Sequence, residues 1–141
     1  MNSNLKRFID AQENDYLTAL KEIKNGRKQS HWMWYIFPQI AGLGFSDISK
    51  YYAIKDLNEA REYLKHDILG ERLIEISNVL IRLDTNNAKA IFGSPDDLKL
   101  KSSMTLFSQI SDAEPVFKLV LDKFFGGNLD QKTLMIINSE D

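Results

Sequence analysis

Apolar residues recur at spacings of three and four along most of the chain, the period of helices that bury one face. Leu5, Phe8 and Ile9, then Tyr16, Leu17, Leu20 and Ile23, predict one helix or two short ones, stopped by a left-handed Gly26 after Asn25. Asp56, followed three residues later by Glu59, reads as a capping box opening a helix that buries Ala60, Tyr63 and Leu64. Asp67 is placed to cap the next helix. There Leu69, Leu73, Ile76 and Leu80 form the clearest stripe in the chain and leave Arg72, Glu75 and Arg82 for solvent. Ala88 to Phe92 gives one short helical turn closed by Gly93. Ser94 then supplies an N-cap hydroxyl, Pro95 the first helical position, and Asp96 and Asp97 the carboxylates of a first turn. Leu98, Leu100, Met104, Leu106, Phe107 and Ile110 are the expected core of that helix, which the polar cluster Ser102, Ser103 and Thr105 could split in two. Glu114 and Pro115 start a helix carrying Phe117, Leu121 and Phe124 that ends at Gly126 and Gly127, and Asp130 caps a last one through Ile137. No two alternating runs are joined by a hairpin signal. The expected fold is all-α: a compact bundle of roughly seven to nine short helices, with residues 1–141 forming a single domain.

The pattern breaks between Gly26 and Ser46. Trp32, Met33, Trp34, Tyr35, Ile36 and Phe37 are six consecutive large apolar residues, and both tryptophans and one of the two histidines lie within four positions of each other. A helix cannot turn all six toward one core, so Trp34 or Phe37 is expected to meet a second element or line a cleft. Ser30 reads as the N-cap of this aromatic helix. Its first turn, His31, Trp32 and Met33, carries no acid, and Arg27 and Lys28 precede it, whereas the Ser94 start brings Asp96 and Asp97. A helix start presents unpaired N–H groups and about half a positive charge. The Ser30 start is therefore the expected anion site of the two.

Composition narrows the chemistry. The chain has 18 Lys and Arg against 20 Asp and Glu, and no Cys. Thiol catalysis and thiolate metal sites are excluded, and two histidines 35 residues apart without cysteine give no metal site. The sequence calls for no cofactor: Gly42 and Gly44 form a G-x-G, but no strand precedes them and no third glycine follows at dinucleotide-binding spacing. The net charge of −2 disfavours nucleic acid as a partner. The longest apolar run, Trp32 to Phe37, falls far short of the ~20 residues that span a bilayer, so no membrane association is expected. Met1 to Asp10 lacks the pattern of a secretory signal, and a cytoplasmic location is expected.

Three segments, SHWMWYIFPQIAGLG (Ser30 to Gly44), YYAIKDLNEAREYL (Tyr51 to Leu64) and IFGSPDDLKLKSSMTLF (Ile91 to Phe107), resemble in order and spacing the bacterial domain of unknown function family 1810. The resemblance runs from Phe8 to Gly127 and implies a small multihelical fold of uncharacterised function. Among the matching positions are Lys28, Ser30, His31, Trp32, Trp34, Gln39, Asp96, Asp97, Lys99, Ser102 and Ser103. Many are polar, which packing alone does not require. Two positions depart from the pattern: Phe45 stands where a basic or polar residue is common, and Asp67 where proline is.

The reading that uses most of these residues is a cleft where Ser30 to Gly44 meets Ser94 to Thr105, taking an anionic, ring-bearing small molecule such as a nucleotide or phosphorylated metabolite. Lys28 and the Ser30 to Trp32 backbone would hold the anion, and Trp32 or Trp34 would stack on the ring. Gln39, Lys99, Ser102 and Ser103 would add polar contacts. His31 with Asp96 or Asp97 would handle protons if the site is enzymatic, because imidazole titrates near neutral pH. The alternative is a non-catalytic protein-binding or adaptor domain that offers the Trp32 to Phe37 cluster to a partner. Single-stranded nucleic acid, stacked on aromatics beside basic residues, ranks third because the chain is acidic overall.

Overall fold

The computed structural model describes residues 4–139. Among them nine helices follow one another: α1 Lys6–Lys24, α2 Met33–Ile36, α3 Asp47–Tyr51, α4 Leu57–Lys65, α5 Leu69–Arg82, α6 Ala88–Phe92, α7 Asp96–Ser108, α8 Val116–Phe125 and α9 Gln131–Asn138. The fold is all-α. The described residues contain no strand, and a single parallel bridge joins Ile40 to Ile54. No helix among them is long and apolar enough to cross a membrane.

Two helices organise the packing. The α5 stripe of Leu69, Leu73, Ile76 and Leu80 is fully buried and packs against α1, α4 and α8. Helix α7 packs against α4, α6, α8 and α9 and is enclosed from several sides at once. That enclosure is why Ser102, Ser103 and Thr105 do not split α7: they are buried in an unbroken helix, Thr105 Oγ1 accepting from Asp130 N at 2.9 Å. Buried side chains from Phe8 to Ile137 join in one hydrophobic cluster.

Several local starts and stops follow the sequence. Asp56 accepts from Glu59 N, Asn87 from Ala90 N and Asp130 from Thr133 N, and Gly126 ends α8 in the left-handed conformation. Others move. Pro95, not Ser94, is the N-cap of α7, which begins at Asp96. Asp67 does not cap α5: His66 Nδ1 accepts from the Ile68 and Leu69 amides instead. Leu17 and Leu98, expected in the core, are exposed because the helices that pack on α1 and α7 approach from other sides. Helix α3 buries no residue and therefore has no stripe to read.

A buried ion pair fixes the loop between α3 and α4. Arg7 Nη2 meets Glu59 Oε1 at 3.0 Å, and the same guanidinium donates to the Tyr51 and Ala53 carbonyls at 2.8 and 2.7 Å. The Ile40–Ile54 bridge then ties that loop to the segment following the aromatic run, through Ala41 N to Ile54 O and Ile54 N to Gln39 O, both 2.8 Å.

Candidate functional site

The Ser30 start is not open. Helix α2 is a single turn whose N-cap is Trp32, so Ser30 lies outside it and does not cap it. The groups expected to hold an anion are instead taken by Glu22, which reaches across the Gly26 turn from the last turns of α1. Its Oε1 accepts from Gln29 N, Ser30 N and Trp32 Nε1 at 2.8, 3.0 and 2.9 Å, and its Oε2 accepts from Ser30 Oγ at 2.6 Å. Burial pushes the Glu22 carboxyl up, but these four hydrogen bonds outweigh it and hold the group down at about 2. Trp32 is 1% exposed, so it cannot stack on a ligand.

Trp34, two residues on, has a different environment. Met33, Tyr35, Ile36 and Phe37 are buried with Trp32, while Trp34 is half-buried and lines a cleft of about 620 Å³. One wall is the loop through Gln39, Leu43, Gly44 and Ser49. The other is the N-terminal part of α7 and its cap, with Pro95, Leu98, Lys99 and Ser102, completed by Asp130 and Lys132 at the start of α9. Two glycines shape the loop wall: Gly42 has φ +104°, and a Cβ on Gly44 would sit 2.4 Å from Ser49 Oγ, so only glycine permits that approach. A smaller pocket of about 90 Å³ shares Trp34, Gln39, Leu43, Gly44 and Ser49 with this cleft.

A ladder of charges and rings connects the two indoles. Lys28 Nζ lies 5.1 Å from the Trp32 ring centre and 2.9 Å from Asp96 Oδ2. Asp96 Oδ1 lies 3.3 Å from Lys99 Nζ, which in turn sits 5.3 Å from the Trp34 ring centre. Asp96 therefore joins two lysines and does not orient His31, whose exposed imidazole forms no hydrogen bond or ion pair among the described residues. Lys28 is enclosed within the ladder, its side chain 9% exposed.

Of the remaining residues named from sequence, Ser103 is fully buried and out of reach of any ligand. Asp97 lies away from the cleft, lining a separate shallow groove with Lys89, Asp122 and Lys123. Ser102 Oγ lies 3.2 Å from both the Leu98 carbonyl and Asp130 Oδ2. The structure thus gathers Trp34, Gln39, Lys99 and Ser102 at one cleft and leaves Lys28, Ser30, His31, Trp32, Asp96, Asp97 and Ser103 outside its lining.

Two lining groups are unengaged. Among the described residues neither the Gln39 carboxamide nor the Lys132 ammonium has a hydrogen-bond or ion-pair partner. Lys132 is not read from the sequence, and Asp130, Phe45 and the exposed Leu98 at the mouth read there as a cap, a departure from the family pattern and a core residue, not as cleft lining. Lys132 stands with Asp130 at the start of α9, in a segment far along the chain from Trp34. No group of three or more metal-ligating side chains gathers among the described residues.

The family model for proteins of unknown function designated DUF1810 matches residues 2–137. The chain belongs to this family. A solved structure, that of the conserved hypothetical protein Rv1873 from Mycobacterium tuberculosis, is 44% identical, with a TM-score of 0.93 over 96% of each chain. No curated protein matches the chain. The DUF1810 relationship thus accounts for the fold and leaves the cleft to be interpreted from its own chemistry.

Proposed function

We propose that the cleft between the Gln39–Ser49 loop and α7 binds an anionic, ring-bearing small molecule, nucleotide-like or another phosphorylated metabolite. The observation that carries this reading is Trp34: it alone in a run of six large apolar residues leaves the core, and it does so beside a preformed cleft with a lysine against its ring. The cleft volume falls within the roughly 300–1,000 Å³ usual for small-molecule sites. Lys99 and Lys132 supply positive charge, while the carboxylate of Asp130 is occupied by Ser102 and by the amide and hydroxyl of Thr133. The groups lining the cleft suit recognition. The proton-handling pair of His31 and Asp96 is not assembled there.

A second reading rests on Phe45, 82% exposed, and Leu98, 57% exposed, which form apolar lips at the mouth. An adaptor that received a partner's side chain would use these lips and not the buried Trp32 to Phe37 cluster.

Intrinsic fluorescence separates the readings because the chain has two tryptophans and Trp32 is sealed against Glu22. Nucleoside monophosphates and diphosphates, sugar phosphates and inorganic phosphate serve as probes. At least one is expected to change Trp34 emission and, at 100 times its Kd, to stabilise the fold by about 2.7 kcal/mol. Trp34→Phe is expected to abolish the optical response and weaken binding while melting close to the wild type. Silence across the panel in both fluorescence and melting temperature would favour the adaptor.

A further inference from the structure

We infer that Gln39 reads the edge of the ligand's ring, so that the cleft selects a heterocycle carrying a hydrogen-bond donor next to an acceptor, as a nucleobase does. This rests on the small-molecule reading of the cleft.

The backbone of Gln39 is fixed, its carbonyl accepting from Ile54 N at 2.8 Å in the bridge that ties the loop to the α3–α4 connection. Its carboxamide is unengaged: Gln39 lines both the cleft and the smaller pocket, and the carboxamide has no partner among the described residues. A half-buried amide with unused donors and acceptor, anchored through its own main chain, is arranged to meet a complementary edge. A carboxamide offers an N–H beside a C=O, which pairs in two parallel bonds with a ring edge bearing the reverse pair. Trp34, shared by the same two compartments, supplies the stacking face for that ring. The charged end of the ligand then lies toward Lys132, the cation of the cleft that has no partner among the described residues, and toward Lys99. A ring face, an unpaired carboxamide and a cation line one opening, and a nucleoside phosphate presents groups for all three.

The test compares phenyl phosphate with AMP, GMP, CMP and UMP, read by Trp34 emission in the wild type and in Gln39→Leu. Leu keeps the bulk and removes the amide. Since the Gln39 carboxamide forms no hydrogen bond among the described residues, the variant's melting temperature should match the wild type without ligand. At least one nucleotide is expected to bind the wild type roughly tenfold or more tightly than phenyl phosphate. Gln39→Leu should bring that nucleotide down to the level of phenyl phosphate while leaving phenyl phosphate unchanged. A nucleotide margin that is absent in the wild type, or that persists in Gln39→Leu, overturns the role of Gln39 and leaves the Trp34 site standing. Equal loss of both probe classes in Gln39→Leu also overturns it, because the residue would then be only a wall. If no probe perturbs Trp34, the cleft reading falls as well.

Discussion

Trp32 and Trp34 stand two residues apart and each has a lysine against its ring, yet one region is closed and the other open. Around Trp32, the donors of Gln29, Ser30 and the indole itself converge on the Glu22 carboxylate, and the ring is sealed in the core. Around Trp34, the lysine is shared with Asp96, the nearby carboxamide is unpaired and the ring faces a cleft. The difference shows that an acid-free first turn does not make an anion site. A carboxylate eight residues upstream of Ser30, across a glycine turn, neutralises the same donors as a capping residue would. Openness is decided by which polar groups the fold leaves without partners, not by the charge of the adjacent sequence.

The sharpest way to break this contrast is to remove the plug. Glu22→Ala would leave four donors without their acceptor, three of them part-buried and the Trp32 indole fully buried, and we expect a loss of about 3 kcal/mol in urea unfolding. Formate at millimolar concentration should restore part of that loss in Glu22→Ala and have no comparable effect on the wild type, because the emptied pocket is shaped for one carboxylate. A cost below about 1 kcal/mol would mean that the loop is held by something other than Glu22.

Acid should open the same region without mutation. The Glu22 carboxyl lies at about 2 in the folded protein, below its ordinary 4.5. A group with a depressed folded pKa stabilises the fold fully above its unfolded value, and that contribution fades as pH falls through the folded one. Between pH 4.5 and 2 the carboxyl should therefore surrender about 3 kcal/mol. Unfolding free energy measured across this window should fall more steeply for the wild type than for Glu22→Gln. Parallel curves would refute the assignment.

Much of the fold was readable because its signals are local. The α5 stripe, the Asp56 and Asp130 caps and the Gly126 stop each depend on residues within a turn or two of one another. What escaped depends on contacts across the chain. Helix α7 tolerates Ser103 and Thr105 because α8 and α9 enclose it, and α3 shows no stripe because it buries nothing. At the site, Trp34, Gln39, Lys99 and Ser102 stood out as chemistry-bearing residues in the segments that the fold brings face to face. The Ser30 anion site failed for the complementary reason: Glu22 lies eight residues upstream, and no local pattern signals its reach across Gly26. Lys132 lay in a third segment with nothing in sequence to link it to Trp34.

The smallest expected effect tests the open side. Asp96 holds Lys99 at 3.3 Å and so competes for the cation that would meet a ligand's phosphate. Its other oxygen holds Lys28 at 2.9 Å, where both side chains are largely enclosed. Asp96→Asn keeps the side chain's shape and removes the charge. The loss of a largely enclosed pair and of a first-turn carboxylate facing the α7 dipole should cost about 2 kcal/mol in unfolding. The same change frees Lys99 from its carboxylate, and a phosphate-bearing probe should then bind about threefold more tightly, since the ligand no longer displaces an internal anion. Stability and affinity are thus expected to move in opposite directions. If affinity falls together with stability, Asp96 is a positioning residue that keeps Lys99 against Trp34, and the carboxylate belongs to the binding machinery instead of opposing it.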